Sequence, residues 1–482
     1  MSRHAVRGMG GATGWSGSTG NPGIGEWRES TPGPHGAARP RTIVQKFGGS
    51  SVASAEKMRK CAERAQAAVK RGERVAIVVS AMGDTTDDLL ALAATVTSAP
   101  DKREMDQLLA TGEQVSISLM SMTLRAMGLP AVSLTGSQCG MHTDEIHTRA
   151  RIQTVDKTRL LAELSQGRIP VVAGFQGISP SGDVTTLGRG GSDTTAVALA
   201  AAIGADECEI YTDVDGVFTT DPRIEPKARP LARISYDEMM EAASQGARVM
   251  HLRSVELGKK AGVPIRVLHS QRPLDYPNHG TLICNAPTST GENVEDRQAV
   301  SIVALKTDLG RVTLEDLPNR PGIQRDVFEK IAAAGISVDD IIQHEIETSA
   351  SGGTGSSSAR GEGRPGERCN LVFTLDKADL PDVKAIIDAV IVAIGQEGGG
   401  GRAKIDLGLV KVSAIGVGMQ SQPGVAATMF RALADAGITI ANITTSEIKI
   451  SCILPEADGA KAVRVVHDAF GLGVGGAATA TV

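Results

Sequence analysis

The architecture of this chain depends on a seven-residue segment, Gln45-Lys46-Phe47-Gly48-Gly49-Ser50-Ser51. It follows the apolar, β-prone run Thr42-Ile43-Val44, and a helical pattern starts a few residues later, so it predicts a strand, a glycine turn and a helix. Backbone N–H groups at such a turn point toward an anion, and glycines let the backbone approach a phosphate closely. Lys46 adds the mobile positive charge that phosphoryl transfer requires. The turn is not a Walker A loop, and by itself a tight turn with an exposed lysine explains the segment equally well.

Composition narrows the class of protein. With 482 residues the chain can form two to four domains, and because 41% of its residues are hydrophobic but only 2% aromatic, the cores must be built from Ala, Val, Ile, Leu and Met. The net charge of −5, with no Lys/Arg cluster, argues against nucleic acid or an anionic membrane as a partner. The cysteines form no CxxC pair and no apolar run reaches membrane-spanning length, so we expect a cytoplasmic protein.

Residues 1–40 are rich in Gly, Ser, Pro and Arg and predict a disordered tail. Residues 41–290 alternate short β-branched runs with helical segments, which predicts an α/β domain whose mostly parallel sheet is covered by helices on both faces. The predicted strands are Thr42–Lys46, Val75–Ser80, Ala131–Leu134, Pro170–Ala173, Cys208–Tyr211 and Ile265–Leu268.

Polar, glycine-rich loops follow several of these strands. They are Ala81–Asp87, Gly174–Gly177, Thr185–Asp193 and Thr212–Arg223. Ligands bind at the carboxyl ends of parallel strands, so we expect the chemistry of the protein to lie in these loops.

An internal repeat follows the α/β region. Pro321-Gly322, Phe328 and Ala334-Gly335-Ile336 recur 102 residues later as Pro423-Gly424, Phe430 and Ala436-Gly437-Ile438. A constant offset predicts two duplicated α+β modules, at 300–395 and 405–475. The Gly/Ser tract at 349–367 predicts a flexible loop inserted in the first module.

Two candidate groups stand out in the loops. Arg189 precedes an Ala-rich helix at 194–203, and its planar guanidinium is suited to a carboxylate, although Ser192 or Asp193 could simply cap that helix. Glu113, expected ahead of an apolar helix, could bind an ammonium group or be a charge favoured by the helix dipole.

The remaining polar side chains are more ambiguous. Asp213, Asp215 and Asp221 could contact a nucleotide or a metal, or form turns. His142 and His147 lack metal-type partners nearby in the sequence, so we interpret them as surface histidines.

Taken in order, these segments resemble the aspartate kinase family. The resemblance is carried by Lys46–Ser51, Ser80–Thr86, Thr111-Gly112-Glu113, Gly174–Gly177, Thr186–Thr195, Tyr211–Arg223 and the tandem repeat, which is similar to paired ACT domains. It extends from Arg41 to Leu472, without the 349–367 tract. An ordered set of this kind is far more specific than one motif.

The resemblance implies an amino-acid-kinase fold, a three-layer α/β/α sandwich, followed by two ferredoxin-like βαββαβ ACT domains. It implies ATP- and Mg²⁺-dependent phosphorylation of the side-chain carboxylate of L-aspartate to 4-phospho-L-aspartate, the first step toward lysine, threonine and methionine. It further implies feedback regulation by lysine or threonine, and a homo-oligomer, a dimer or tetramer, built through the ACT domains.

Site residues follow from the resemblance by position. The catalytic residues would be Lys46, Arg189 and Asp193. The substrate would contact Ser80, Thr86, Glu113, Arg189 and Ser192, with Arg189 on a carboxylate and Glu113 on the ammonium. The nucleotide would contact Lys46, Phe47, Gly48, Gly49, Ser50, Thr212, Asp213, Phe218, Asp221, Arg223 and Arg248, the last standing where the family often has lysine. The effectors would contact Asn319, Gly322, Gln343, Asn442 and Ser446. No side chain is assigned as a metal ligand.

Three other functions fit the sequence less well. One is another enzyme of the same fold that acts on glutamate or a nucleotide, against which the repeat and the Arg189 segment argue. Another is a catalytically silent amino-acid sensor, which is disfavoured by four intact residues, Lys46, Glu113, Arg189 and Asp193. A Rossmann dehydrogenase is excluded because no G-x-G-x-x-G follows the first strand.

Overall fold

The computed structural model describes residues 39–247, 249–276, 280–285, 298–346, 368–396 and 400–473. Most of the predicted tail and the whole 349–367 tract therefore lie outside the described residues. The N-terminal domain contains the strands β1 Thr42–Phe47, β2 Arg74–Val79, β3 Ala131–Leu134, β4 Met141–Thr143, β5 Ile152–Val155, β6 Ile169–Ala173, β7 Gln176–Ile178, β8 Val184–Thr186, β9 Glu207–Thr212, β10 Arg233–Ser235, β11 Ile265–His269 and β12 Thr281–Cys284. Its helices are α1 Ala55–Lys70, α2 Thr85–Val96, α3 Lys102–Ala126, α4 Thr158–Ser165, α5 Gly191–Ile203, α6 Tyr236–Ser244 and α7 Leu252–Ala261.

The main sheet of this domain has eight strands in the order β10-β12-β11-β9-β1-β2-β6-β3. The pairs from β11 to β3 are all parallel, and β12 runs antiparallel to β11. All six predicted strands are present, with ends that differ by at most one residue. The mostly parallel sheet is therefore confirmed, whereas the short strands of a second sheet, β5-β4-β7-β8, were not predicted.

Helices cover both faces of the main sheet. On one face Ile43 and Phe47 pack with α1 and α3, and on the other Val44 and Val78 pack with α4, α5, α6 and α7. This arrangement confirms the three-layer sandwich. α1 begins where Ser54 Oγ accepts the Lys57 N–H, as expected for a helix N-cap.

Two modules follow the N-terminal domain and share one six-stranded sheet, in the order β14-β15-β13-β16-β18-β17. Their strands are β13 Ile302–Pro318, β14 Asp339–Ile346, β15 Arg368–Asp376, β16 Arg402–Ile415, β17 Asn442–Ser446 and β18 Lys449–Pro455, and their helices are α8 Ile323–Ala333, α9 Leu380–Gln396, α10 Val425–Asp435 and α11 Gly459–Ala469. The repeat is visible here, since α8 and α10 start 102 residues apart and each follows a left-handed glycine, Gly322 or Gly424.

The two modules are not formed by separate, consecutive segments of the chain, because two long strands, β13 and β16, contribute to both. The second half of β13 pairs with residues 402–406 of β16 in the first module. The first half of β13, residues 302–306, pairs with residues 411–415 of β16, which also pair with β18 in the second module. The second module therefore takes one edge of its sheet from residues that precede the first module.

The second module contacts the N-terminal domain through α6. Glu238 completes the capping box of this helix with Ser235, and its Oε1 accepts hydrogen bonds from Ser301 Oγ (2.9 Å) and the Val417 N–H (3.2 Å). Lys449 pairs with Glu241 at 2.7 Å. Among the described helices, none is long and apolar enough to cross a membrane.

Candidate active site

The carboxyl ends of four neighbouring strands are joined by backbone hydrogen bonds. The Gly48 N–H donates to Tyr211 O (3.4 Å), and the Ser80 N–H donates to Phe47 O (3.1 Å). The Gly174 N–H donates to the carbonyl oxygen at the end of β2 (3.0 Å). The loops after β9, β1, β2 and β6 therefore lie side by side, which is where the polar, glycine-rich segments were expected to meet.

Lys46 and Asp193 form an ion pair at this edge. Lys46 lies near the end of β1 and Asp193 in the first turn of α5, and Lys46 Nζ is 2.6 Å from Asp193 Oδ1. Both side chains are nearly buried, with 11% and 13% of their surfaces exposed. Because α5 packs on the sheet face toward which Lys46 points, the fold brings together two residues that are 147 positions apart in the sequence (193 minus 46).

Gly49 is required by packing between two loops. A Cβ atom there would lie 2.8 Å from Ala81 O, and the Gly49 carbonyl accepts the Gly83 N–H at 3.0 Å. The glycine pair therefore lets the loop after β2 close over the turn after β1. Ser50 follows on the exposed side of this turn, where its carbonyl accepts a hydrogen bond from Lys57 Nζ.

Phe47 does not direct its side chain into the site. Its side chain is fully buried on the opposite face of the sheet from Lys46, where it stacks on Tyr211 with ring centroids 4.9 Å apart. Successive residues of a strand point to opposite faces, so a strand that directs Lys46 into the site must direct Phe47 into the core. Its ring is a core residue and cannot line the nucleotide pocket.

Glu113 also lies in a different context from the one expected. It is in the middle of α3, not ahead of a helix, and it is 3% exposed. Its Oε1 accepts the Ala81 N–H at 3.1 Å, and its Oε2 is buried without a hydrogen-bond partner among the described residues. Burial raises the pKa of this carboxyl to about 7. The helix therefore presents a buried, partly unsatisfied carboxyl group beneath the loop after β2.

Arg189 lies on an exposed turn between Gly188 and Gly190. In the described parts of the chain it forms no hydrogen bond or ion pair, so its guanidinium is available to a ligand. Gly190 has a φ of +69°, and a Cβ atom there would lie 2.2 Å from the Cβ of His251, which caps α7. The turn that presents Arg189 is thus packed against α7, and Ser192 follows it at the buried start of α5.

The other predicted substrate residues lie at the same edge. Ser80 directly follows β2, and Thr86 is in the first turn of α2; both are half-buried. They lie close to Glu113 because α3, which carries Glu113, packs beneath the loop after β2.

The predicted nucleotide residues lie on the loop after β9. Thr212 Oγ1 donates to Asp213 Oδ1 at 3.1 Å beside the β1 turn. Phe218 is half-buried farther along the same loop. Arg223 pairs with Asp221 at 2.7 Å and holds the pKa of that carboxyl below its usual range. Arg248 lies outside the described residues.

Asp215 has a structural partner. Arg272 contacts both of its oxygens at 2.9 Å and lowers the pKa of the Asp215 carboxyl. Among the described residues, no group of three or more His, Cys, Asp and Glu side chains is arranged to hold a metal ion.

Asp106 is a buried carboxylate that the sequence argument missed. It lies on α3, is 0% exposed, and accepts hydrogen bonds from Thr186 Oγ1 (2.5 Å), the Thr148 N–H (3.0 Å) and His147 Nδ1 (2.8 Å). The interpretation of His147 as a surface residue is therefore wrong. Thr148 has a φ of +67°, which costs energy for a β-branched residue, so Asp106 stabilises a strained loop next to Gly188.

A sequence signal for Asp106 existed. Asp106 and Glu113 are seven residues apart and share the buried face of α3 with Leu109, Ile117 and Met120. Two carboxylates on an otherwise apolar helical stripe are unusual, because ionised groups are rarely buried without partners.

The predicted effector residues divide between the modules. In the first module Gln343 Nε2 donates to Asn319 Oδ1 (3.3 Å), and Gly322 starts α8 nearby, so three of the five residues lie together. In the second module Asn442 and Ser446 lie at the two ends of β17. Asn442 Oδ1 accepts the N–H of the next residue.

Comparisons with known proteins agree with this arrangement. A family model described as the amino acid kinase family matches residues 41–269, and one described as the ACT domain matches residues 412–470. The chain is 44% identical over 430 residues to the aspartokinase of Geobacillus stearothermophilus, which covers 89% of this chain and 97% of the relative.

Two solved structures of E. coli aspartokinase III are similar to this fold, each with 25% sequence identity and each covering 89% of this chain and 99% of the other. The complex with aspartate and ADP, in the R-state, gives a TM-score of 0.69. The complex with lysine and aspartate, in the T-state, gives a TM-score of 0.63.

Proposed function

The chain belongs to the aspartate kinase family, and on that premise we propose that it transfers the γ-phosphoryl group of ATP to the side-chain carboxylate of L-aspartate. The product is 4-phospho-L-aspartate, from which lysine, threonine and methionine are made. The observation that carries the proposal is the Lys46–Asp193 pair, 2.6 Å apart, where four strand ends meet.

The chemistry needs charge stabilisation and little else. A substrate carboxylate has a pKa of about 3.9 and is already ionised at neutral pH, so no general base is required. The barrier lies in bringing this anion to a polyanionic phosphate, which positive charges and backbone N–H groups lower. Lys46 stabilises the transferring phosphoryl group, and Asp193 holds its ammonium in place.

The two charged ends of aspartate are recognised separately. The exposed guanidinium of Arg189 binds a substrate carboxylate, and the buried carboxylate of Glu113 binds the ammonium. The unsatisfied Oε2 of Glu113 supports this role, because a bound ammonium would supply the missing hydrogen bond. Thr86, Ser80 and Ser192 complete the polar surface around the substrate.

The nucleotide occupies the loop after β9 and the turn after β1. Asp213 lies at their junction with an exposed carboxylate that would serve as a ligand of Mg²⁺, which favours one or two carboxylates plus phosphate oxygens. When bound with ATP, Mg²⁺ would offset the negative charge of the phosphates. Phe218 provides the apolar surface for the base.

The test is ADP release from MgATP with L-aspartate, compared with L-glutamate. We expect turnover with aspartate alone, and a fall in kcat of about 10²–10³-fold in Lys46→Ala. Lysine and threonine are then added singly and together. Turnover with glutamate instead would favour another enzyme of this fold. If neither substrate is turned over but lysine or threonine still binds, the hypothesis of a silent sensor would replace the kinase proposal.

We also propose that the ACT modules bind lysine or threonine and assemble the chain into a dimer or tetramer. The edge strands β14 and β17 support assembly, because Ile341 and Ile443, related by the repeat, are 52% and 43% exposed there. Light scattering of the wild type and of Ile341→Glu tests this. A monomeric wild type would refute it.

A cytoplasmic location is part of the proposal. All six cysteines are free thiols, and five of them are buried, as expected in a reducing compartment.

A further inference from the structure

The loop between β9 and β10 carries Phe218, Asp221 and Arg223, yet it has little regular structure. Two isolated bridges pair Phe218 with Pro230 and Ala228 with Gly473, and the Thr219 N–H donates to Arg229 O at 3.0 Å. The loop is not part of a helix or a ladder, so its position depends on whatever packs against it.

Two contacts from the second module converge on Thr219. The Val303 N–H of β13 donates to Thr219 O at 2.8 Å. His467 of α11 approaches from the other side, with its Nε2 2.9 Å from Thr219 Oγ1. Both Thr219 and His467 are 0% exposed. The second module therefore holds the backbone beside Phe218 through contacts that water cannot replace.

His467 is a polar residue in apolar surroundings. It lies on the buried face of α11 with Val463 and Val466, which belong to the apolar core of the module. Its Nδ1 is buried with no hydrogen-bond partner among the described residues. An apolar residue would fill this position without an unsatisfied nitrogen. The hydrogen bond to Thr219 is the polar contact that the ring makes here.

Two other polar contacts at the same boundary are exposed. Lys227 and Asp468 pair at 3.0 Å with both side chains more than half exposed, and Arg464 donates to Ile224 O. Exposed ion pairs contribute little to stability. Asp468 follows His467 directly in the sequence, so it offers a matched control.

We propose that His467 is a positioning residue for the nucleotide, which acts through Thr219 on the Phe218–Arg223 segment. The inference rests on the proposed function, because it assigns that segment to ATP. It makes the second ACT module a structural support of the nucleotide site. Aspartate binding, which depends on the loops after β2, β6 and β8, is independent of this contact.

The test compares His467→Phe, which keeps a ring and loses both nitrogens, with His467→Gln, which keeps both a hydrogen-bond donor and an acceptor at similar reach. We expect His467→Phe to raise KM for MgATP about five- to tenfold, the effect of one buried hydrogen bond. The values of kcat and KM for aspartate stay within about twofold, and His467→Gln restores KM for MgATP. Asp468→Asn leaves all three constants unchanged.

A second variant covers the case in which His467→Phe does not fold. Thr219→Val removes the hydroxyl, which also accepts the Arg229 N–H at 3.2 Å, so KM for MgATP should rise at least as much as in His467→Phe. Calorimetric titration with ADP measures the same loss without turnover. Equal changes in both KM values, or none, would overturn the role of His467. An inactive wild type that still binds ADP more tightly than the variants would overturn only the proposed reaction.

Discussion

The Lys46–Asp193 pair acts as one unit at the residue scale. Each partner is nearly buried, so removing either leaves a charge without its counterion. We expect Lys46→Met and Asp193→Asn each to lower kcat at least about 100-fold, and the double variant to be no slower than the slower single one. Steady-state kinetics checks this, with exposed Lys60→Met as the control. Losses that multiply would mean that the two residues act independently.

Ionisation of the buried Glu113 carboxyl lowers the stability of the protein, although the proposed binding of an ammonium group needs the ionised form. Its pKa of about 7 exceeds the ordinary value of 4.5, so the folded state loses stability as the pH rises from 4.5 to about 7 and the buried carboxyl ionises. We expect Glu113→Gln to be more stable than the wild type by about 1–3 kcal/mol at pH 8, with no difference below pH ~4.

The same variant should bind aspartate poorly, with KM raised at least about tenfold, because the ammonium loses its counterion. Denaturant unfolding at the two pH values and KM measurements check both effects. A Glu113→Gln variant that is less stable than the wild type at pH 8 would contradict this expectation.

Helix α3 is the element that organises the site from below. Its buried face carries both Glu113 and Asp106, and Asp106 accepts the N–H of Thr148, which has a left-handed conformation. We expect Asp106→Ala to lower the free energy of unfolding by about 2–4 kcal/mol and to raise KM for aspartate, since the loop beside Gly188 relaxes.

Exposed Gln107→Ala on the same helix is the matched control for Asp106→Ala and should change stability by less than about 0.5 kcal/mol. Chemical denaturation and kinetics measure both variants. If Asp106→Ala keeps its stability but raises KM for aspartate, then Asp106 positions the substrate loop without stabilising the fold.

Lys411 connects the two modules at the scale of the whole molecule. It is 0% exposed on β16 and pairs with Asp339 at 2.7 Å and with Asp340, both on β14. We expect Lys411→Met to lower the free energy of unfolding by about 3–5 kcal/mol, because it leaves the buried Asp340 carboxylate without its counterion. It should also weaken inhibition by lysine or threonine, since the shared sheet loosens.

Hydrogen exchange locates the effect of Lys411→Met. Exchange should accelerate in β13 and β16, while β1 and β2 keep their protection. Lys404→Met, an exposed position on the same strand, serves as the control. Uniformly faster exchange in the N-terminal domain would contradict a local role.

The sequence by itself determined the strand ends, the loops that carry Lys46, Arg189 and Asp193, and the repeat. These features are local, since an apolar run, a turn residue or a fixed offset can be recognised without knowing the path of the chain. Tertiary structure alone decided that Glu113 is buried mid-helix, that Asp106 clamps Thr148, and that β13 belongs to both modules. It also joined Thr219 to His467 across 248 residues. Such contacts depend on how distant segments pack, and the periodicity of one segment does not specify its partner.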